Sequence, residues 1–171
     1  MERTDPEQSA DELTMLSQFV DYHRATLMQK ASGLDRDQLG TRLEPSSLTL
    51  AGLLKHAALV EDSWFGERLL GLEPREPWAS VPWDDDPDWE FRTALDDEPD
   101  ELLALYADAC ERSRAAVAQV GDLDAQSVGV SRQTGETFSM RWILLHMLEE
   151  TARHNGHADL LRENIDGVTG E

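Results

Sequence analysis

The sequence predicts an all-α protein, a four-helix bundle with two long crossover connections. Three observations carry that expectation. Four stretches of roughly 22 to 26 residues repeat apolar side chains at three- and four-residue steps. Two connectors, residues 72–97 and 121–138, exceed the usual length of bundle loops and show no helical period. No segment alternates apolar and polar residues in a way that would build a sheet.

The first helix spans about Asp11 to Ser32, with Leu13, Leu16, Val20, His23 and Leu27 on one stripe and Gly33 as its stop. His23 lies on that stripe as a core histidine. Residues 34–47 form a connector with one helical turn at Asp35–Leu39. Thr49 is a good N-cap for a second helix running to Gly71. Leu53, Leu59, Val60 and Leu70 lie within about 60° of His56 on the helical wheel, so His56 points into the core. The crossover 72–97 holds Trp78, Trp83 and Trp89, which would make it either a lid over the bundle or a surface-anchored connection. A third helix, from Pro99 to Val120, has proline in its first turn. The connector 121–138 contains a short extended piece around Ser127–Val130. Ser139 caps a fourth helix that ends between Asn164 and Gly167.

At 171 residues the chain is expected to form one domain, 1–171, with residues 1–10 and 168–171 as frayed tails. Fifteen basic against 35 acidic residues give a formal charge of −20. Such a surface repels phosphate backbones and anionic lipid, so neither nucleic acid nor membrane is an expected partner. The acidic coat serves solubility or a salty cytoplasm. No apolar run approaches the length of a membrane span, and the acidic N-terminus is unlike a secretory signal. A single cysteine, Cys110, permits no internal disulfide, which suits a reducing, cytoplasmic setting. Within a helical pattern it is expected to act as a small buried hydrophobe.

Chemistry concentrates in the last helix, MRWILLHMLEETARHNGHADLLRE, residues 140–163. With His146 at zero on the wheel, Ile143 and Leu161 fall at about 60°, Met147 at about 100° and Ala158 at about 120°. Glu150, at about 40°, and His154, at about 80°, lie inside that apolar sector. A carboxylate placed there requires a compensating cation or a dense set of donors. Residues four apart on a helix can close on one ion. Glu150 and His157 are about 10.5 Å apart along the axis, and His146 and His154 about 12 Å, so the four donors cannot share one mononuclear site. Glu150 with His154 is the best-placed pair, and core-facing His56 is the candidate third ligand. Two histidines and a carboxylate suit Zn²⁺, with Ni²⁺, Fe²⁺ or Mn²⁺ as alternatives.

The segments LTLAGLLKHAALVEDSWF (48–65) and 140–163 resemble the DinB-like superfamily. More narrowly, they are similar to its actinobacterial branch related to the metal-binding domain of mycothiol-dependent maleylpyruvate isomerase. The likeness runs over nearly the whole chain, through the tryptophan-rich crossover and the closing RHNGHADLLREN. It implies a DinB-like four-helix bundle holding one divalent metal on a histidine of the second helix and two residues of the last. Most members use three histidines, the last two as H-x-x-x-H; the isomerase has glutamate first in that pair. Carried onto this sequence, the ligands are His56, Glu150 and His154, the set that the wheel also selects.

The resemblance further implies a metal-dependent transferase or detoxifying enzyme using mycothiol or a similar low-molecular-weight thiol as co-substrate against an electrophile, and a homodimer. The rival readings are a non-catalytic metal-binding bundle, with the metal stapling, sensing or sequestered, and a metal-dependent hydrolase. His157 is placed as a partner to the ring of a ligating histidine, and His146 as the same or as an acid–base. Arg153, at about −20° on the wheel, would hold an anionic substrate or else bridge to Glu149 or Glu163.

Overall fold

The computed structural model describes residues 3–169. Helix α1 (Glu12–Ala31) starts at Asp11, whose side chain accepts from the Thr14 amide, and α2 (Arg36–Leu39) is a single turn closed by a capping box between Asp35 and Gln38. Helix α3 (Leu50–Glu61) is capped by Thr49 and continues without a break into a π-helical segment, Asp62–Leu69. After the crossover and the short helix α4 (Trp89–Thr93) come α5 (Pro99–Val120) and α6 (Met140–Asp166). Proline opens α5 and Ser139 caps α6, as expected, and left-handed glycines, Gly121 and Gly167, close both. Among the described residues no helix is long and apolar enough to cross a membrane.

The four long helices form the bundle: α1 packs along α6, α3 along α5, and α3 also meets α6. Two buried clusters fill it. One gathers Leu27, Leu50, Leu53, Leu54, Leu102 and Tyr106, the other Val20, Phe65, Leu69, Met140, Ile143 and Met147. Cys110 lies fully buried in the first, and burial, reinforced by the charge of Glu61, pushes its thiol up to about 12, which makes it inert.

Two local features differ from the sequence expectation. The second long helix does not stay α-helical to Gly71. From Asp62 it widens, and the five-residue spacing of a π turn brings Arg68 Nη1 to 2.5 Å from Ser63 Oγ. On either side of this change Glu61 takes Arg24 in a buried two-bond pair, at 2.6 and 2.7 Å, while Asp62 takes Arg112 and the indole of Trp78. The extended piece near Ser127 is one arm of a hairpin, β1 (Gln126–Val130) with β2 (Thr137–Ser139), antiparallel and bulged. Thr137–Ser139 is too short to show a period in sequence. Within residues 3–10, Glu7 exchanges hydrogen bonds with the side chain of Gln18, at 2.8 and 2.9 Å. Residues 1–2 and 170–171 lie outside the described part.

The tryptophan-rich crossover is anchored and also forms a wall. Trp78 is buried and donates to Asp62 Oδ2 at 2.9 Å. Trp89 meets both Trp78 and Trp83 edge to face and lies under Lys55, whose ammonium also reaches Thr93 and Asp97. This fixes α4 against α3. Gly52 permits the approach, because a Cβ there would stand 3.0 Å from the Phe91 ring.

Candidate metal centre

Two elements of the bundle and one of the crossover build the site. Helix α3 supplies His56, α6 supplies Glu150 and His154 one turn apart, and α4 supplies Glu90 and Phe91. Glu150 Oε1 lies 3.4 Å from His56 Nε2 and 3.1 Å from His154 Nε2. One ligand atom from each of the three residues falls within 4.8 Å of the others. A cavity of about 10 Å³, the space of one water-sized sphere, adjoins them, walled by Leu27, Ala57, Val60, Met147 and Thr151. It lies where the two core clusters meet.

Each imidazole is held from behind. His56 Nδ1 lies 3.0 Å from Glu90 Oε1, so its Nδ1–H donates to that carboxylate and Nε2 is left facing Glu150. The ring also stacks on Phe91, with centroids 4.8 Å apart. His154 presents Nε2 to the cluster while its Nδ1 lies 3.5 Å from His157 Nδ1. Contacts of this kind fix the tautomer and orientation of an imidazole.

Charge explains why the cluster favours a divalent cation. Two carboxylates, Glu90 and Glu150, flank His56, and Glu90 is only 5% exposed with its Oε2 unpartnered. Without metal, protons must compensate. Although burial works against it, hydrogen bonds to Glu150 and Glu90 push His56 up to about 9. The bonds from His154 and then His56 hold the Glu150 carboxyl well below the usual carboxylate range, against the cost of burial. One imidazolium offsets only one of two negative charges. A divalent ion between neutral imidazoles offsets both. Two ligand atoms of a tetrahedral zinc ion stand about 3.3 to 3.4 Å apart, close to the separations of 3.1 and 3.4 Å found around Glu150. The donor set therefore fits a divalent metal such as zinc.

The other residues singled out from the sequence fall outside the cluster. His157 stands beside His154, with the two Nδ1 atoms 3.5 Å apart. His146 stacks on Trp142 at 5.1 Å and tilts against Trp64 at 4.6 Å, with Nδ1 3.7 Å from Glu149. Arg153 is exposed and bridges to Glu149 at 3.0 Å, so its guanidinium is engaged on the outer face of its own helix. His23 is half-buried, with Nδ1 3.2 Å from Asn155 Nδ2, which also donates to the His23 carbonyl at 3.0 Å. Glu90 was not legible in sequence: it sits in an acid-rich crossover without a period, and only the folding of three tryptophans onto α3 turns it inward.

A family model described as mycothiol S-transferase matches residues 15–167. No curated protein matches the chain.

Proposed function

The chain belongs to the mycothiol S-transferase family, and from that premise we propose that it is a divalent-metal-dependent enzyme that joins a mycothiol-type thiol to an electrophile. His56, Glu150 and His154 are the proposed ligands, with zinc the ion best suited to them. The observation that carries this reading is the convergence of those three donors on one point at the junction of α3 and α6.

The protein's own residues set the conditions for the chemistry. Glu90 and Phe91 fix the His56 ring, and His157 backs His154, so both Nε2 atoms are aimed before any ion arrives. Leu27, Val60 and Met147 give the site an apolar wall that limits water and strengthens the local electrostatics. Thr151 lines the cavity, but its hydroxyl donates to the Met147 carbonyl at 2.7 Å. His56, Glu150 and His154 would hold the divalent ion, which would supply a positive charge that favours thiolate over thiol at neutral pH. The thiolate sulfur forms its new bond to the electrophilic carbon as the bond to the leaving group breaks, chloride departing with the electron pair from a chloronitrobenzene, and the thiol proton goes to solvent. We place this activity in the cytoplasm, where the buried thiol of Cys110 is in keeping with a reducing setting.

The test is elemental analysis combined with thiol consumption. Purified protein is expected to carry about one divalent ion per chain, lost in His56→Ala. Mycothiol mixed with a chloronitrobenzene electrophile is expected to disappear only with metal-loaded protein. Full metal retention by His56→Ala refutes the ligand set. Equal consumption by stripped and loaded protein refutes the transferase reading.

A further inference from the structure

Between the π-helical segment, α5 and the start of the crossover lies a pocket of about 310 Å³ that shares no lining residue with the donor cavity. That is roughly twice the space that holds a single benzene ring in a protein core. Phe65, Leu70, Leu72 and Ala116 give it largely apolar walls, as small-molecule sites have. Leu72 is held in place by its backbone N–H, which donates to the Gly66 carbonyl at 3.0 Å. The π-helical geometry of one wall is uncommon and frequently accompanies a functional site.

Two features set this pocket apart from a packing fault. Ser113 of α5 lines it, is only 1% exposed, and its Oγ has no hydrogen-bond partner. A helical hydroxyl ordinarily turns back to a carbonyl one turn earlier, as those of Thr26 and Thr151 do in this molecule. A buried hydroxyl left without a partner costs stability, and each such exception calls for an explanation. The second feature is Gly66 on the facing wall. A Cβ there would meet no atom within 4 Å and its φ is not positive, so neither packing nor backbone conformation demands glycine. Glycine in a helix is less stable than alanine. What it preserves at this position is open space.

The charges around the pocket are already answered. Glu61 holds Arg24, and Asp62 holds Arg112. Burial raises the Glu67 carboxyl, while Arg68 and Arg132, neither of them a lining residue, act on its charge. Glu73 and Arg75, of opposite sign, stand exposed on the crossover. The interior leaves one hydroxyl unsatisfied, not a charge.

We propose that this pocket binds a neutral, largely apolar small molecule, roughly the bulk of two fused rings, through one hydroxyl or carbonyl group that pairs with Ser113 Oγ. The serine hydroxyl can donate or accept, so either group suits it. An ion would have to leave water for a site with no counter-charge to spare. The site stands independently of the metal and of the function proposed above.

The test titrates purified, full-length protein by calorimetry with four probes of similar size: 2-naphthylmethanol, 2-ethylnaphthalene, 2-naphthoate and protonated 2-naphthylmethylamine. Naphthylmethanol is expected to bind saturably, and about tenfold or more tightly than either ion. Ser113→Ala removes a partnerless hydroxyl, so its melting temperature is expected to stay level or rise. It should weaken naphthylmethanol about fivefold or more, and ethylnaphthalene less than about twofold. Gly66→Leu, whose side chain grows into the pocket, should abolish binding of both, with helicity and metal content intact. Nuclear Overhauser contacts between bound naphthylmethanol and the Phe65 ring in unaltered protein locate the ligand without any variant. No saturable binding, an ion that binds as tightly as the alcohol, or an alcohol indifferent to Ser113→Ala overturns the proposal. Binding that survives in folded Gly66→Leu, or a bound probe without contact to Phe65, overturns it equally.

Discussion

Glu90 has no metal ligand's position and yet sets what His56 can do. Its Oε1 holds the Nδ1 face of the ring, and its buried Oε2 has no other partner. Replacing it with glutamine keeps the size and removes the charge. Metal affinity in Glu90→Gln is expected to fall about 10- to 100-fold, the usual effect of losing such a partner, without loss of helicity. Competition with a metallochromic chelator measures this, and an affinity within about twofold of the unaltered protein would contradict the role. At this scale the three donors were legible and the side chains around them only half so. Glu150 and His154 show themselves because two ionisable groups interrupt an apolar stripe, and His56 because it shares a face with Leu53 and Val60. His157 is legible through its three-residue step from His154. Glu90 is not, since its direction depends on how Trp78 and Trp89 seat the crossover.

Elements differ in how openly the sequence declares them. Thr49, Ser139, Gly121 and Gly167 mark helix ends by local chemistry that does not depend on the rest of the fold. The widening of the second helix at Asp62 has no such marker. It is fixed by tertiary demands, with Glu61 committed to Arg24 and Asp62 to Arg112 and Trp78. The hairpin is equally dependent on its surroundings, being short, bulged and seated on the π-helical segment through Gly71 and Gly129. A side chain at Gly129 would press on the Arg68 backbone, a contact that flexible atoms cannot relieve. Gly129→Ala is therefore expected to destabilise the protein by about 1–3 kcal/mol, the usual range for overpacking, while leaving metal content intact. Chemical denaturation and elemental analysis check both halves. Unchanged stability would mean that the hairpin does not need this close approach.

On the scale of the whole molecule, the half-buried donor cluster ties stability to pH. His56 has a folded value raised to about 9, so in metal-free protein its contribution is complete below about 6.5, the ordinary histidine value. That contribution is lost as pH rises through about 9. Glu150 is depressed, so its contribution is present above the ordinary carboxylate range and is lost as pH falls below it. Stripped protein should therefore melt highest in mildly acidic solution and lose stability toward both extremes. Loaded protein should keep its stability on the alkaline side, because a metal holds the carboxylates without a proton. Thermal melts of both forms across this range check the sign. A stripped protein whose melting temperature rises between mildly acidic and alkaline pH would contradict it. The bundle itself was legible because four amphipathic stretches and two long connectors leave few other architectures.

The central claim is that His56, Glu150 and His154 hold an ion that takes a thiol directly. Absorption spectroscopy of cobalt(II)-substituted protein during titration with mycothiol tests it most directly. The account predicts a new sulfur-to-cobalt charge-transfer band in the near ultraviolet, saturating at about one thiol per metal and absent from His154→Ala. A spectrum that mycothiol leaves unchanged, in protein that retains its cobalt, would contradict it.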